Sequence, residues 1–174
     1  MALLGVAMMA LRSTNEGLSQ MQGTYYPVLV AAQANREAIE RMAETFNTAV
    51  TIGELDSLSV TKQYLQDMEK RFKEQSKLLP EKAADIGKMA SDTQSYYDAA
   101  FGLAESLIQG KADMSKVAGI AAENSQKLQS LTSALTQFQK QREKDFTSLV
   151  NQADERTGRT ASLLWIIWAV LLVG

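Results

Sequence analysis

The sequence predicts an all-α protein: an antiparallel up-down-up-down four-helix bundle whose long first and fourth helices continue into membrane spans. Three observations predict it. Apolar residues recur in alternating steps of three and four along most of the chain, the spacing of one buried helix face. Three punctuation points, at Gly53, Pro80 and Gly110, cut that pattern into four. Both ends are runs without a charge, MALLGVAMMAL at 1–11 and ASLLWIIWAVLLVG at 161–174.

The first helix steps through Leu18, Met21, Tyr25, Val28, Ala32, Asn35, Ile39, Met42, Phe46 and Ala49, with Asn35 the one polar member. Pro27 lies inside it and predicts a kink, or the point where the helix changes packing environment. Gly53 suits the left-handed residue after a helix, and Asp56 or Ser57 suits the cap of the next. The second helix carries Leu55, Leu58, Leu65, Met68, Phe72 and Leu79, and Pro80 ends it. The third steps through Ala83, Ile86, Ala90, Thr93, Tyr97, Ala100, Ala104 and Leu107. The fourth steps through Met114, Val117, Ala121, Asn124, Leu128, Leu131, Leu135 and Phe138. There the register shifts by one, through Arg142 to Phe146, Leu149 and Ala153, like a stutter.

At 1.5 Å per residue a fourteen-residue apolar run reaches about 21 Å, against a bilayer core of about 30 Å. Each end is therefore read as part of a longer membrane helix. The expected organisation is the end of a first span at 1–11, an extracytoplasmic bundle at 12–160 and the start of a second span at 161–174. Trp165 and Trp168 suit the interfacial part of that second span. A short signal peptide is the other reading of 1–11, but no basic run precedes it and no small-x-small site follows it. With both ends in the membrane, Gly53 and Gly110 are expected at the distal tips. Pro27 is expected where four helices become two.

Composition narrows function. The chain has 174 residues, with no cysteine and no histidine. Thiol chemistry, the commonest metal ligand and the usual neutral-pH base are absent, and no metal site, cofactor or catalytic residue is expected. A net charge of −2 gives no field for nucleic acid.

The run ERMAETFNTAVTIGELDSL at 40–58 ends an acidic-hydrophobic helix in Ala-Val, two residues, Gly and an acid. YYDAAFGLAESLIQGKADM at 96–114 closes the third helix. With the two flanking apolar runs, this pattern resembles the sensor region of methyl-accepting chemotaxis proteins and related bacterial transmembrane receptors. The resemblance implies a homodimer in the bacterial inner membrane, its sensor region periplasmic or extracellular. It also implies a small ligand or a binding protein acting on the distal part of the bundle, and output through the fourth helix. The sensor of a histidine kinase or of a cyclic-dinucleotide enzyme fits the same pattern. From a different class, so does a membrane-anchored helical interaction protein: a translocator, pore-former or coiled-coil adaptor.

Five residues are the candidate ligand contacts. Asn35, Thr93 and Asn124 lie 18, 17 and 14 residues by count from the nearest tip glycine, each on an apolar seam. Counted this way they fall within about one helical turn of a common height. Such a layer either fixes helix register or lines a pocket. Arg36 and Arg41 lie near that height on the first helix and suit the carboxylate of an amino or organic acid. Beside Glu37, Glu40 and Glu44 they also suit ordinary surface ion pairs. Of the pairs Tyr25-Tyr26 and Tyr96-Tyr97, one ring each is expected to face inward.

Overall fold

The computed structural model describes residue 19 and residues 21–173, with side chains to residue 152. The run 1–11 therefore lies outside the described residues, and the side chains of 161–174 do too. The chain is all-helical: α1 is Tyr26–Ile52, α2 Leu58–Leu78, α3 Ala83–Ile108 and α4 Met114–Val173. Among the described residues there is no strand, and no helix is long and apolar enough to cross a membrane. Two compact units divide the chain: Val30–Lys140, and Met1–Leu29 with Gln141–Gly174.

In the second of these units, the distortion expected at Pro27 takes the form of a π-helical turn, Met21–Tyr25, leading into α1. Proline donates no N–H and its ring crowds the carbonyl four residues back, here Gly23. A wider turn lets that carbonyl swing aside. Tyr26, 57% exposed, meets Phe146 with ring centroids 6.2 Å apart. The seam shift on α4 is visible too. Arg142 is buried and bridges to Asp145 at 3.1 Å, while Phe146 and Leu149 are half-buried.

The unit Val30–Lys140 holds most of the core. Ala32, Asn35, Ile39, Met42, Phe46 and Ala49, the six seam residues of α1 in this unit, are all buried. On α2 the buried face is Leu58, Thr61, Leu65, Met68, Phe72 and Gln75. It keeps a strict three-four rhythm whose polar members, Thr61 and Gln75, the apolar pattern passes over. On α3 the buried arc is wider than one seam: Met89 and Tyr96 join Ile86, Thr93, Tyr97, Ala100 and Ala104. Both Tyr96 and Tyr97 are therefore inward, where one was expected. Phe46 lies against both rings, at 6.4 Å and 5.9 Å, and Tyr97 stacks on Phe101 at 5.6 Å. A helix with apolar neighbours on two sides buries a wider arc, and both ring positions fall within it.

The turns follow their residue types. Gly53 and Gly110 both adopt the left-handed conformation, at φ +74° and +66°. The N–H groups of Gly53 and Glu54 close on the Ala49 carbonyl, and that of Lys111 on Ser106, satisfying helix-end acceptors. Pro80 opens a short 3-10 turn, Pro80–Lys82, ahead of α3. Asp113 caps α4, accepting from the Ser115 N–H at 3.1 Å and its hydroxyl at 2.6 Å. Those bonds, then Lys116, hold its carboxyl below the usual carboxylate range. At α2 the expected capping by Ser57 does not form. Its hydroxyl instead donates to Glu54 at 3.3 Å.

Candidate functional site

Within Val30–Lys140, burial along α4 begins late. From Met114 to Glu123 only Val117 is even half-buried, and Met114 is 73% exposed. Asn124 is the first buried residue, followed by Leu131 and Leu135. The facing residues are short. Ala43 on α1, Ala100 and Ala104 on α3 and Ala121 on α4 leave the space between these helices unfilled. The result is an open groove of about 550 Å³, within the range of small-molecule sites. Phe46 and Tyr96 supply its aromatic wall, and Leu103, Leu107, Val117 and Leu128 its aliphatic ones. No charged residue lines it. The polar members are Asn47, Thr51, Tyr96, Asn124 and Ser125.

Asn124 stands apart among them. It is 8% exposed, and its amide nitrogen is buried with no hydrogen-bond partner in the protein. A buried N–H pair without an acceptor costs free energy. Thr51, by contrast, is satisfied by the Asn47 carbonyl at 2.8 Å.

The five expected contacts do not gather in one place. Asn35 accepts from the Arg71 guanidinium at 2.7 Å and donates to Gln75 at 3.3 Å, both on α2. Thr93 donates to the Met89 carbonyl one turn back on its own helix. Asn124 is in the groove. Arg36 bonds Gln139 of α4, fifteen residues along from Asn124, or about 22 Å of helix. Thr93 is one turn before the Tyr96-Tyr97 pair that packs on Phe46, eleven residues and about 16 Å along α1 from Asn35. The single polar layer is thus replaced by separate sites. Arg36 also pairs with Glu40 at 2.8 Å, one helical turn on. Arg41 is exposed, and neither arginine lines the groove.

The structure adds Gln75 and Arg71 to Asn35, and their polar character is what hid them in an apolar pattern. Burial of the Arg71 guanidinium lowers its pKa, against the opposing pull of Asp67 and then Glu74. Among the described residues no acidic cluster is placed to hold a metal ion.

Burial pushes the Tyr96 phenol up to about 12, and burial raises Tyr97 as well, while a hydrogen bond with Thr61 works the other way. A phenol kept neutral by folding contributes stability that is complete below its ordinary pKa of about 10. That contribution is lost as pH rises from 10 towards 12. The melting temperature is expected to fall across this window, and Tyr96→Phe to shallow the fall. Identical alkaline profiles for the two proteins would remove Tyr96 as a cause.

No family pattern, no curated protein and no solved structure matches this chain.

Proposed function

We propose that this chain is the extracytoplasmic sensor domain of a bacterial transmembrane receptor of the chemoreceptor kind, homodimeric, signalling by displacement of α4. One observation carries the reading: the helix that walls the groove is the helix that leads away from it. α4 contributes Val117, Ala121, Asn124 and Leu128 to the groove and continues as one helix to Val173, within the uncharged run 161–174. Packed helices slide by about 1–2 Å between discrete arrangements, and an unbroken helix carries such a shift along its length. A ligand between α4 and its neighbours favours one arrangement only as far as it binds that one better.

The order of contacts supports an up-down-up-down path. Arg36 meets Gln139, whereas Asn47, further along α1, shares the groove with Asn124, so α1 and α4 count in opposite directions. Thr61 meets Tyr97, whereas Phe72 shares a shallow cleft with Ile86, so α2 and α3 do the same. On this path the two tips are not level. Gly53 lies seven residues past Phe46; the same step from Tyr97 reaches Ala104, six residues short of Gly110 and about 9 Å below it. The α3–α4 tip then overhangs the other, which accounts for the exposure of Met114 and Ile120. It also accounts for Asn124 lying away from Asn35.

The test joins this chain to the signalling half of a chemotaxis receptor. Output is expected to change with at least one member of a panel of amino acids, organic acids and neutral compounds. The same compound should stabilise the protein, by about 2.7 kcal/mol at a hundredfold excess over its dissociation constant. Two glycines inserted after Lys144, in the middle of α4, should abolish the response and leave the stabilisation. Output that ignores every compound that binds would refute the sensor reading.

A further inference from the structure

We propose that the groove between α1, α3 and α4 takes an uncharged amphipathic molecule that bridges two helices. Its apolar side lies on the buried floor, and its hydrogen-bonding edge meets Asn47 of α1 and Ser125 of α4 at the rim. This rests on the reading of the groove as the ligand site of a sensor, and names the ligand's class and its polar contacts. Burial sorts the lining into these two levels. Phe46, Tyr96, Ala100 and Ala104 are buried and make a floor of rings and methyl groups. Asn47 and Thr51 on α1 and Ala121 and Ser125 on α4 are exposed and make the rim.

The polar groups differ in what they are free to do. The Asn124 nitrogen is sealed from water and from an occupant alike. Thr51 donates to the Asn47 carbonyl at 2.8 Å. The side-chain amide of Asn47 and the hydroxyl of Ser125 are solvent-facing and bond no other described residue. Each both donates and accepts, and each turns towards an occupant without breaking a bond of the fold. The lining holds no lysine, arginine, aspartate or glutamate, so a carboxylate or ammonium entering it would lose water and meet no opposite charge. The volume, about 550 Å³, suits a small organic molecule. Bonded at both rims, such a molecule ties α1 to α4, the helix that leads away from the groove.

Four probes test this on the whole chain in lipid nanodiscs. Benzamide, benzoate and benzamidinium share one shape and differ in charge; ethylbenzene has the ring without the polar edge. Binding is read from the methyl resonances of Ala100, Ala104 and Ala121, which line the groove. Benzamide is expected to bind in the millimolar range, and about tenfold more tightly than either ion. Asn47→Ala and Ser125→Ala should each weaken benzamide about threefold and leave ethylbenzene unchanged. Comparing each variant with its parent under one lipid content cancels partition of the hydrocarbon into the bilayer.

Several results would overturn the proposal. They are binding of benzoate or benzamidinium as tight as that of benzamide, rim variants that weaken amide and hydrocarbon alike or neither, and no saturable shift at these methyls. The charge series needs no variant, and both substituted positions are exposed, so folding does not decide the outcome. The sensor reading fails separately: groove binding without any change in receptor output sinks that reading alone. Output driven by benzoate through the groove sinks this one alone.

Discussion

Replacing Phe46 by alanine is expected to lower unfolding free energy by about 3–5 kcal/mol. Phe46 is 5% exposed and touches both Tyr96 and Tyr97 edge-on or tilted. Such aromatic pairs add about 0.5–1.5 kcal/mol beyond the area they bury. The ring also stands between the core and the groove, so its removal deepens an existing space rather than letting helices close. For a chain of this size the loss corresponds to roughly 6–20 °C in melting temperature. Urea titration should show a lower midpoint at constant slope. A loss under about 1 kcal/mol would mean that α4 collapses onto α1 and that the groove is not held open by its own walls.

Asn35→Ala is expected to cost about 2–4 kcal/mol although it removes no apolar contact of any size. The substitution strands the Arg71 guanidinium, which donates to Asn35 at 2.7 Å, and deprives Gln75 of the donor at 3.3 Å. Asn35 is fully buried and Gln75 is 1% exposed, so water reaches neither without opening the interface. Asn35→Asp keeps an acceptor for Arg71 and supplies an opposite charge to it, and should cost less than Asn35→Ala at neutral pH. Acidification should erase that advantage, because a carboxylate held low by arginine loses its contribution as it protonates. Equal losses for both variants across pH would show that Arg71 turns to solvent when Asn35 is gone.

These two residues mark what the sequence made legible. Phe46 and its seam partners on α1 were readable because a helix buries one face and the period of that face is local. The glycine turns were readable for a similarly local reason, since only glycine takes φ near +70° without strain. Gln75, Thr61 and Arg71 were not. A search for apolar spacing discards a buried polar residue at the position where its partner matters most. Tyr96 was missed because the width of a buried arc depends on how many helices surround it, which one helix does not encode.

Asn124 shows the boundary between the two kinds of information. Its sequence position established that a polar amide interrupts an apolar seam on the last helix, and the lack of cysteine and histidine established what chemistry its surroundings could not perform. By itself the sequence determined the helical class, the four segments, most apolar members of their buried faces and the glycine and proline turns, because each follows from interactions within a few residues. Tertiary structure alone decided where those faces meet. Relative height along neighbouring helices is a sum over turn lengths and side-chain fits from several segments. An error of a few residues at one tip moves a predicted neighbour by more than a helical turn. That is why Asn35 found Gln75 and Arg71, and Asn124 was left facing a groove.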